Sequence, residues 1–339
     1  MTNSLGIAFL LSLTAHPATA QFVDGERFEF ERGMMGTEFR IVLYASDSAQ
    51  AAAAAGAAFA RIDALNLTLS DYLPDSELNV VSAQSGTDSL IPTSDDLWTV
   101  LLSAQELAAE SGGAFDVTVG PLTRLWRRAI RHGVMPDPIA LAAARELVGY
   151  RFVELDSLDG RGSVVRLALP GMRLDLGGIA KGYAVDEAFG VLRQAGYARA
   201  LVDGGGDLRL GDPPPNKKGW EIAISYLDTT GARSQRVYLL SNSAVATSGS
   251  RYRHLEANGI RYSHIVDPST GMGLTVDREV TVIAPTCMEA DGVASALSVM
   301  GVERARPLLA GRAGVQARFV EAGESGFEMT DIPYALHER

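Results

Sequence analysis

Apolar and polar positions change period several times along this chain, and each change marks an element. From Ala180 the small and apolar residues recur at Tyr183, Ala184, Ala188, Val191, Leu192 and Ala195. That is the spacing of one helical face, and Gly196 stops the run. Upstream, Leu174 to Leu176 reads as the end of a strand carrying Asp175, and Gly177-Gly178 forms a hinge before the helix. A strand that delivers a carboxylate to a glycine turn and a helix N-terminus makes a corner where free backbone N–H groups can meet an anion. A plain strand-to-helix turn with an N-terminal acid fits this stretch equally well, so the choice rests on the rest of the chain.

Period-2 alternation from Phe28 to Tyr44 predicts two strands around a glycine turn at Met34, Met35 and Gly36. Ser46 to Leu67 predicts an alanine-rich helix with Asp47 and Ser48 as caps and a stripe through Ala55, Ala58, Phe59, Ile62 and Leu65. The stretch LSDYLPDSELNVV reads as a loop around Pro74, with Tyr72 either an amphipathic surface residue or a stacking platform. A second helix spans Pro92 to Glu110, capped by Thr93 or Ser94. Val117 to Val119 predicts a short strand that Gly120-Pro121 ends, and Asp137-Pro138 opens a third helix. Tyr150 to Leu176 reads as three strands, RFVEL, SVVRLAL and MRLDL, and Ala200 to Leu210 as two strands around three glycines, with Asp203 and Asp207 nearby. Trp220–Tyr226 and Ser234–Leu240 form a hairpin pattern, while Val245 to Tyr252 is polar and broken by glycine. His264 falls on a short strand before an Asp-Pro turn, and Glu279 to Ala284 is a further strand. Thr286 and Glu289 make a capping box for a helix ending at Gly301, on which Asp291 and Ser295 share a face. Strands at Val315–Val320 and Phe327–Thr330 follow. Helical and β-rich blocks are mixed rather than strictly alternating, which favours an α+β fold over a doubly wound sheet.

Composition narrows the function classes. A net charge of −11 argues against a nucleic-acid partner, since phosphate backbones are held by clustered Lys and Arg. It leaves open a phosphate-bearing small molecule held by a local site or a bridging cation. The first twenty residues contain a short apolar run, Leu5 to Leu13, then Ala18-Thr19-Ala20, the small-x-small pattern of signal-peptide cleavage before Gln21. The n-region lacks Lys and Arg, yet the expectation is an exported, soluble, periplasmic protein. Cys287 is the sole cysteine, which excludes an intramolecular disulfide, a lipid-anchoring cysteine at the cleavage site and a thiolate zinc site.

Several segments, taken in order, resemble the FAD:protein FMN transferase (ApbE) family. They are MGT at Met35–Thr37, DYLPDSELN at Asp71–Asn79, GAFDVTVGPLTRLW at Gly113–Trp126, LDLGGIAKGYAVD at Leu174–Asp186, LVDGGGDLR at Leu201–Arg209, ATSG at Ala246–Gly249, HIVDPSTG at His264–Gly271, and Ala290-Asp291. The resemblance implies mixed, largely antiparallel sheets with packed helices in a T-fold-like α+β architecture, and one catalytic domain over residues 21–339, either undivided or as two lobes around the site. It implies transfer of FMN from FAD to a threonine hydroxyl of an exported or membrane flavoprotein, such as a respiratory redox subunit, with release of AMP. It places FAD contacts at Met35, Tyr72, Ala114, Phe115, Asp116, Asp175, Lys181 and Ile265, Mg²⁺ ligands at Gly178 (by its carbonyl), Asp291 and Ser295, and a general base at His264. Ser295 stands where the family commonly has threonine, keeping the hydroxyl but losing the β-branch. Gly292 replaces a usual alanine, at a cost of roughly 1 kcal/mol in a helix interior. Two alternatives use the same residues: an FAD pyrophosphatase giving FMN and AMP, and a non-catalytic flavin-binding carrier.

Overall fold

The alternation near the N-terminus folds as expected. β1 (Glu26–Met34) and β2 (Thr37–Ala45) pair antiparallel, joined by the two-residue turn Met35-Gly36, whose φ values are 48° and 75°. Two consecutive positive φ angles give the turn twist that suits a hairpin. This computed structural model describes residues 25–158, 162–228, 230–249, 253–323 and 326–333, so the expected export segment lies outside it.

Asp47 caps α1 (Ser48–Leu69) by accepting the Gln50 N–H at 2.8 Å. The stretch expected to be a loop after Pro74 contains a helix instead, α2 (Glu77–Ala83), because Ser76 accepts the Asn79 N–H and serves as its N-cap. β3 (Ile91–Pro92) precedes α3 (Asp95–Glu110), which Ser94 caps. The expected strand at Val117–Val119 is reduced to a single bridge between Val119 and Arg173. Gly120-Pro121 does not end an element but starts one, α4 (Gly120–His132), because proline lacks only an N–H that the first helical turn leaves unpaired anyway. α5 (Pro138–Arg145), β4 (Val153–Leu158) and β5 (Gly162–Leu167) follow, and the MRLDL segment runs as irregular chain into α6 (Ala180–Gln194).

The second half supplies most of the main sheet. β6 (Ala200–Gly204) and β7 (Asp207–Leu210) form a hairpin, as do β8 (Trp220–Leu227) and β9 (Arg233–Leu240). Residues 243–249, expected to be a broken polar stretch, form β10 (Ser243–Gly249) in the middle of the sheet. β11 (His254–Ala257) and β12 (Ile260–Ser263) pair locally, so His264 follows the strand rather than lying on it. β13 (Arg278–Ala284) leads to α7 (Cys287–Ala310), and β14 (Gln316–Gly323) and β15 (Gly326–Ile332) complete the described chain. α7 breaks at Gly301, where φ is 72°, but resumes beyond it to Ala310. The eight-stranded sheet has the order β1-β2-β6-β7-β10-β13-β14-β15, with every neighbouring pair antiparallel. β3, β5 and β4 form a smaller sheet.

Both faces of the main sheet are covered. Phe39, Ile41, Leu43, Val202, Ala244, Ala246, Val280 and Val282 point into the large core beneath α1, α3, α6 and α7. The alternate residues Val42, Leu201, Val245 and Ile283 pack against Trp220, Ile222, Ile224 and Tyr238 of the β8–β9 hairpin. Burial on both faces explains why these strands read as apolar runs, and each fully buried large side chain contributes about 1.5–3 kcal/mol. A third cluster is separate. Leu122, Trp126 and Ala129 of α4 pack with Ala144, Leu255 and Val266, and the Trp126 indole N–H donates to the Gly271 carbonyl at 2.9 Å. α4 thereby anchors the segment that carries His264.

Candidate active site

The start of α6 is built by close approach to α7. A Cβ on Gly182 would sit 2.3 Å from the Cys287 carbonyl oxygen, so only glycine allows the two helix starts to meet backbone to backbone. The helices then exchange carboxylates. α6 has no capping side chain of its own, and Asp291 of α7 accepts the Gly182 N–H at 3.1 Å. Asp186 of α6 accepts the N–H groups of Cys287 and Met288 at 2.9 Å each. Each acid lies where the partial positive charge of the other helix favours it.

Lys181 lies between two acids. It pairs with Asp207, and its Nζ is 3.9 Å from an Asp291 oxygen. Burial works against the ammonium, but the two carboxylates outweigh it and raise the Lys181 pKa. Burial pushes the Asp207 carboxyl up, the nearby Asp291 charge pushes the same way, and Lys181 opposes both. Gly178 opens the same corner, where a Cβ would lie 2.8 Å from Ser295 Oγ and 3.4 Å from the Phe115 ring. Gly178, Lys181, Asp291, Ser295 and Phe115, spread over the chain, therefore converge. Asp291 keeps one oxygen and Ser295 its hydroxyl without a hydrogen bond among the described residues. One carboxylate, one hydroxyl and nearby backbone are hard oxygen donors of the kind Mg²⁺ prefers, and a set this sparse leaves room for substrate phosphates. Among the described residues no three His, Cys, Asp or Glu side chains gather as a metal cage, so a metal here would sit in an open site shared with its substrate. Gly292 has its own packing reason, since a Cβ there would come within 3.0 Å of Leu107 on α3.

Asp175 faces two ways. One oxygen accepts the Gly177 N–H at 2.9 Å, on the corner side. The other accepts from Thr123 at 2.6 Å and from Arg127 at 2.7 Å, both on α4. Arg127 also pairs with Asp71, and its guanidinium carbon lies 4.5 Å from the centre of the Tyr72 ring. Tyr72 is 66% exposed, on a loop that the Asn79 amide pins through the Asp71 and Leu73 carbonyls at 3.1 and 2.8 Å. Asp116 is buried, and its oxygens accept from the Thr118 N–H, the Thr118 hydroxyl and the Tyr150 N–H at 2.6–2.8 Å. Its carboxylate therefore shapes the chain, and Asp116 can meet a ligand through its backbone. Ala114 is buried beside it.

His264 is exposed, and its Nδ1 lies 3.1 Å from the Arg253 carbonyl. A carbonyl only accepts, so Nδ1 carries the proton and Nε2 keeps the lone pair. Desolvation by the surrounding protein is the main influence lowering the His264 pKa; the bond to the Arg253 carbonyl opposes it, and the charges of Arg253 and Arg127 add to it. A lowered pKa favours the neutral ring, the form that can act as a base. Ile265 next to it is fixed by its N–H to Ser263 Oγ at 3.0 Å and its carbonyl to the Leu274 N–H at 2.9 Å. Met35 occupies the hairpin turn beside the β6–β7 turn, where a Cβ on Gly205 would touch Thr37. No hydrogen bond or ion pair among the described residues joins Met35 or Ile265 to the corner. Arg127, Asp186 and Asp207 were not among the expected site residues. The only sequence signal for them was the position of each inside a motif already noted.

An eight-stranded antiparallel sheet with a glycine-hinged, acid-lined corner defines a class of α+β protein equipped for a phosphate-bearing ligand. Residues 35–319 match the model of the ApbE family. The chain is 33% identical over 299 residues to the FAD:protein FMN transferase of Treponema pallidum (strain Nichols), covering 85% of this chain and 82% of that protein. It is 32% identical to a protein of the same name from Klebsiella pneumoniae (strain 342), covering 96% and 93%. The structure of the flavin transferase ApbE from Vibrio cholerae superposes with a TM-score of 0.80 at 30% identity, covering 91% of this chain and 97% of that one. The chain belongs to the ApbE family.

Proposed function

We propose that this protein transfers FMN from FAD to a threonine hydroxyl of an acceptor protein and releases AMP. The observation that carries the reading is the convergence of Gly178, Asp291 and Ser295 at the start of α6, where one Asp291 oxygen and the Ser295 hydroxyl have no hydrogen bond among the described residues. The Gly178 carbonyl, Asp291 and Ser295 would hold Mg²⁺ there, and the ion would supply charge neutralisation for the pyrophosphate. Lys181 offsets part of the Asp207 and Asp291 charge, and Asp175 and the Gly177 N–H fix the hinge beside them. Phe115 and Ala114 border the nucleotide, and Tyr72 and Met35 offer surfaces for its flat rings.

His264 Nε2 takes the proton of the acceptor hydroxyl. The oxygen attacks the phosphorus on the FMN side of FAD, a P–O bond forms, and the P–O bond to the AMP phosphate breaks. AMP leaves with the bonding electron pair, and the product is a phosphodiester between threonine and FMN. Catalysis of this kind is mainly positioning and charge stabilisation, and a positioned base contributes roughly 10²–10⁴-fold. The first twenty residues support export, so acceptors are redox subunits on the outer side of the cytoplasmic membrane. Residues 21–339 act as one catalytic domain. Among the described residues no helix is long and apolar enough to cross a membrane.

The test is incubation of the protein with FAD, Mg²⁺ and candidate acceptor domains, followed by denaturing electrophoresis. Flavin fluorescence that survives denaturation, lost when the acceptor threonine becomes alanine, is the expected result. AMP and FMN release at the same rate without acceptor would instead mark a pyrophosphatase.

A further inference from the structure

α4 carries a cationic stripe that the chemistry above does not use. Arg124, Arg128 and Arg131 recur at the spacing of one helical face and are all exposed. None of the three makes an ion pair with an acidic residue among the described residues. Like charges three and four residues apart destabilise a helix. Only Arg131, in the last turn, is helped by the helix dipole.

A second element adds to the stripe. Arg173, from the irregular chain before the hinge, lines the same cleft of about 530 Å³, together with Arg127 and Tyr72. Among the described residues its guanidinium donates only to the Asn79 side-chain oxygen, at 3.1 Å. Burial is the main influence lowering the Arg173 pKa, the charge of Arg124 pushes the same way, and Asp71 opposes both. Arg124, Arg127, Arg128, Arg131 and Arg173 thus line one cleft in a protein whose net charge is −11. Among the described residues Asp71 is the one carboxylate on the cleft wall, and Arg127 pairs with it.

We propose that this cleft docks an acidic segment of the acceptor protein, close to the hydroxyl that receives FMN. The proposal rests on the flavin-transfer reading. The pyrophosphate already has its place at the Gly178 corner, on the other side of the Asp175 carboxylate. What remains for the free guanidinium groups is a second anionic partner that must approach the same site. Guanidinium groups bind carboxylates through two parallel N–H bonds. Arg127 links the cleft physically to the site, touching Asp175 and Tyr72 and lowering the His264 pKa through its charge.

The test measures fluorescence anisotropy of two labelled synthetic peptides without FAD, each with one threonine, flanked by glutamates in one and glutamines in the other. The wild-type chain is expected to bind the glutamate peptide roughly tenfold or more tightly, with the preference shrinking as salt rises. The triple variant Arg124→Glu, Arg128→Glu, Arg131→Glu should lose that preference while binding FAD as before. The triple lysine variant should keep most of it, and the single Arg128→Glu variant should lose part of it if the triple variant fails to fold. Equal binding of both peptides overturns the proposal, as does a preference the triple variant retains. Loss of FAD affinity in step with peptide affinity assigns the arginines to the FAD site and also overturns it. Binding to phosphatidylglycerol vesicles with no peptide preference overturns it in favour of a membrane surface. If the arginine-dependent peptide preference holds but no acceptor is ever flavinylated, the functional reading fails and the docking surface stands.

Discussion

On one side of Asp175, α6 and α7 meet through Gly182, each helix start is capped by the other's acid, and Lys181 lies between two carboxylates. On the other side, α4 presents exposed Arg124, Arg128 and Arg131, which pair with no acid among the described residues. The first region is largely buried and built on small residues, and its acids outnumber its one lysine, which suits a cation and a group that must be held in one geometry. The second is open and carries excess charge, which suits a partner that arrives, reacts and leaves. Asp175 and Arg127 join the two, the arrangement that the proposed ligand at the corner and the proposed partner in the cleft would need to meet at one phosphorus.

The largest effects should come from the corner and its base. Asp291→Ala removes both a proposed metal ligand and the cap on Gly182, and flavin transfer should fall by about 10²-fold or more. Isothermal titration should show Mg²⁺ binding lost with it. His264→Ala should lower kcat by roughly 10²–10⁴-fold while FAD affinity measured by fluorescence quenching stays close to wild type. A carrier without catalysis would show neither loss.

Next come changes that disturb the architecture between the regions. Arg127→Met leaves Asp71 and Asp175 facing each other without their shared cation. Breaking such a partly buried pair costs about 3 kcal/mol, and urea denaturation should show it. Gly182→Ala forces its Cβ against the Cys287 carbonyl, and overpacking of this kind costs about 1–3 kcal/mol. That variant should weaken Mg²⁺ binding more than it weakens binding of the acidic peptide, which separates the corner from the cleft.

The smallest expected effect is a pH shift. With neutral His264 as the proposed base, kcat/KM should rise with pH through the His264 pKa and then level off. Because that pKa is lowered, the rising limb lies below the ordinary imidazole value of about 6.5. Removing the Arg127 charge raises the pKa, so the limb in Arg127→Met should move to higher pH. Desolvation, the larger influence, stays in place.

Much of the corner was legible in the sequence because it is made locally. The helix face from Ala180, the capping box at Thr286 and Glu289, and the one-turn spacing of Asp291 and Ser295 all fold as their patterns require. The cleft was not legible. α4 was hidden because Gly120-Pro121 also fits a strand end, and only packing of Leu122 and Trp126 against Ala144 and Val266 decides for a helix. With α4 unseen, the arginine stripe had no face to lie on. β10 was hidden for another reason. Its Ala244 and Ala246 are small where they join the core beneath α7, so a central strand looked like a polar loop. The carboxylate exchange between Asp186 and Asp291 joins residues more than a hundred positions apart, which no local pattern encodes.

The most direct test of the account is covalent flavin transfer with its metal and base dependence read together. The protein, FAD and an exported redox-subunit domain are incubated with and without Mg²⁺, and the acceptor's intact mass is measured. The account predicts a mass increase of one FMN phosphodiester on a single threonine with wild-type protein and Mg²⁺. It predicts no such increase after chelation or with His264→Ala. Transfer undiminished in His264→Ala, or equal transfer without divalent metal, would contradict it.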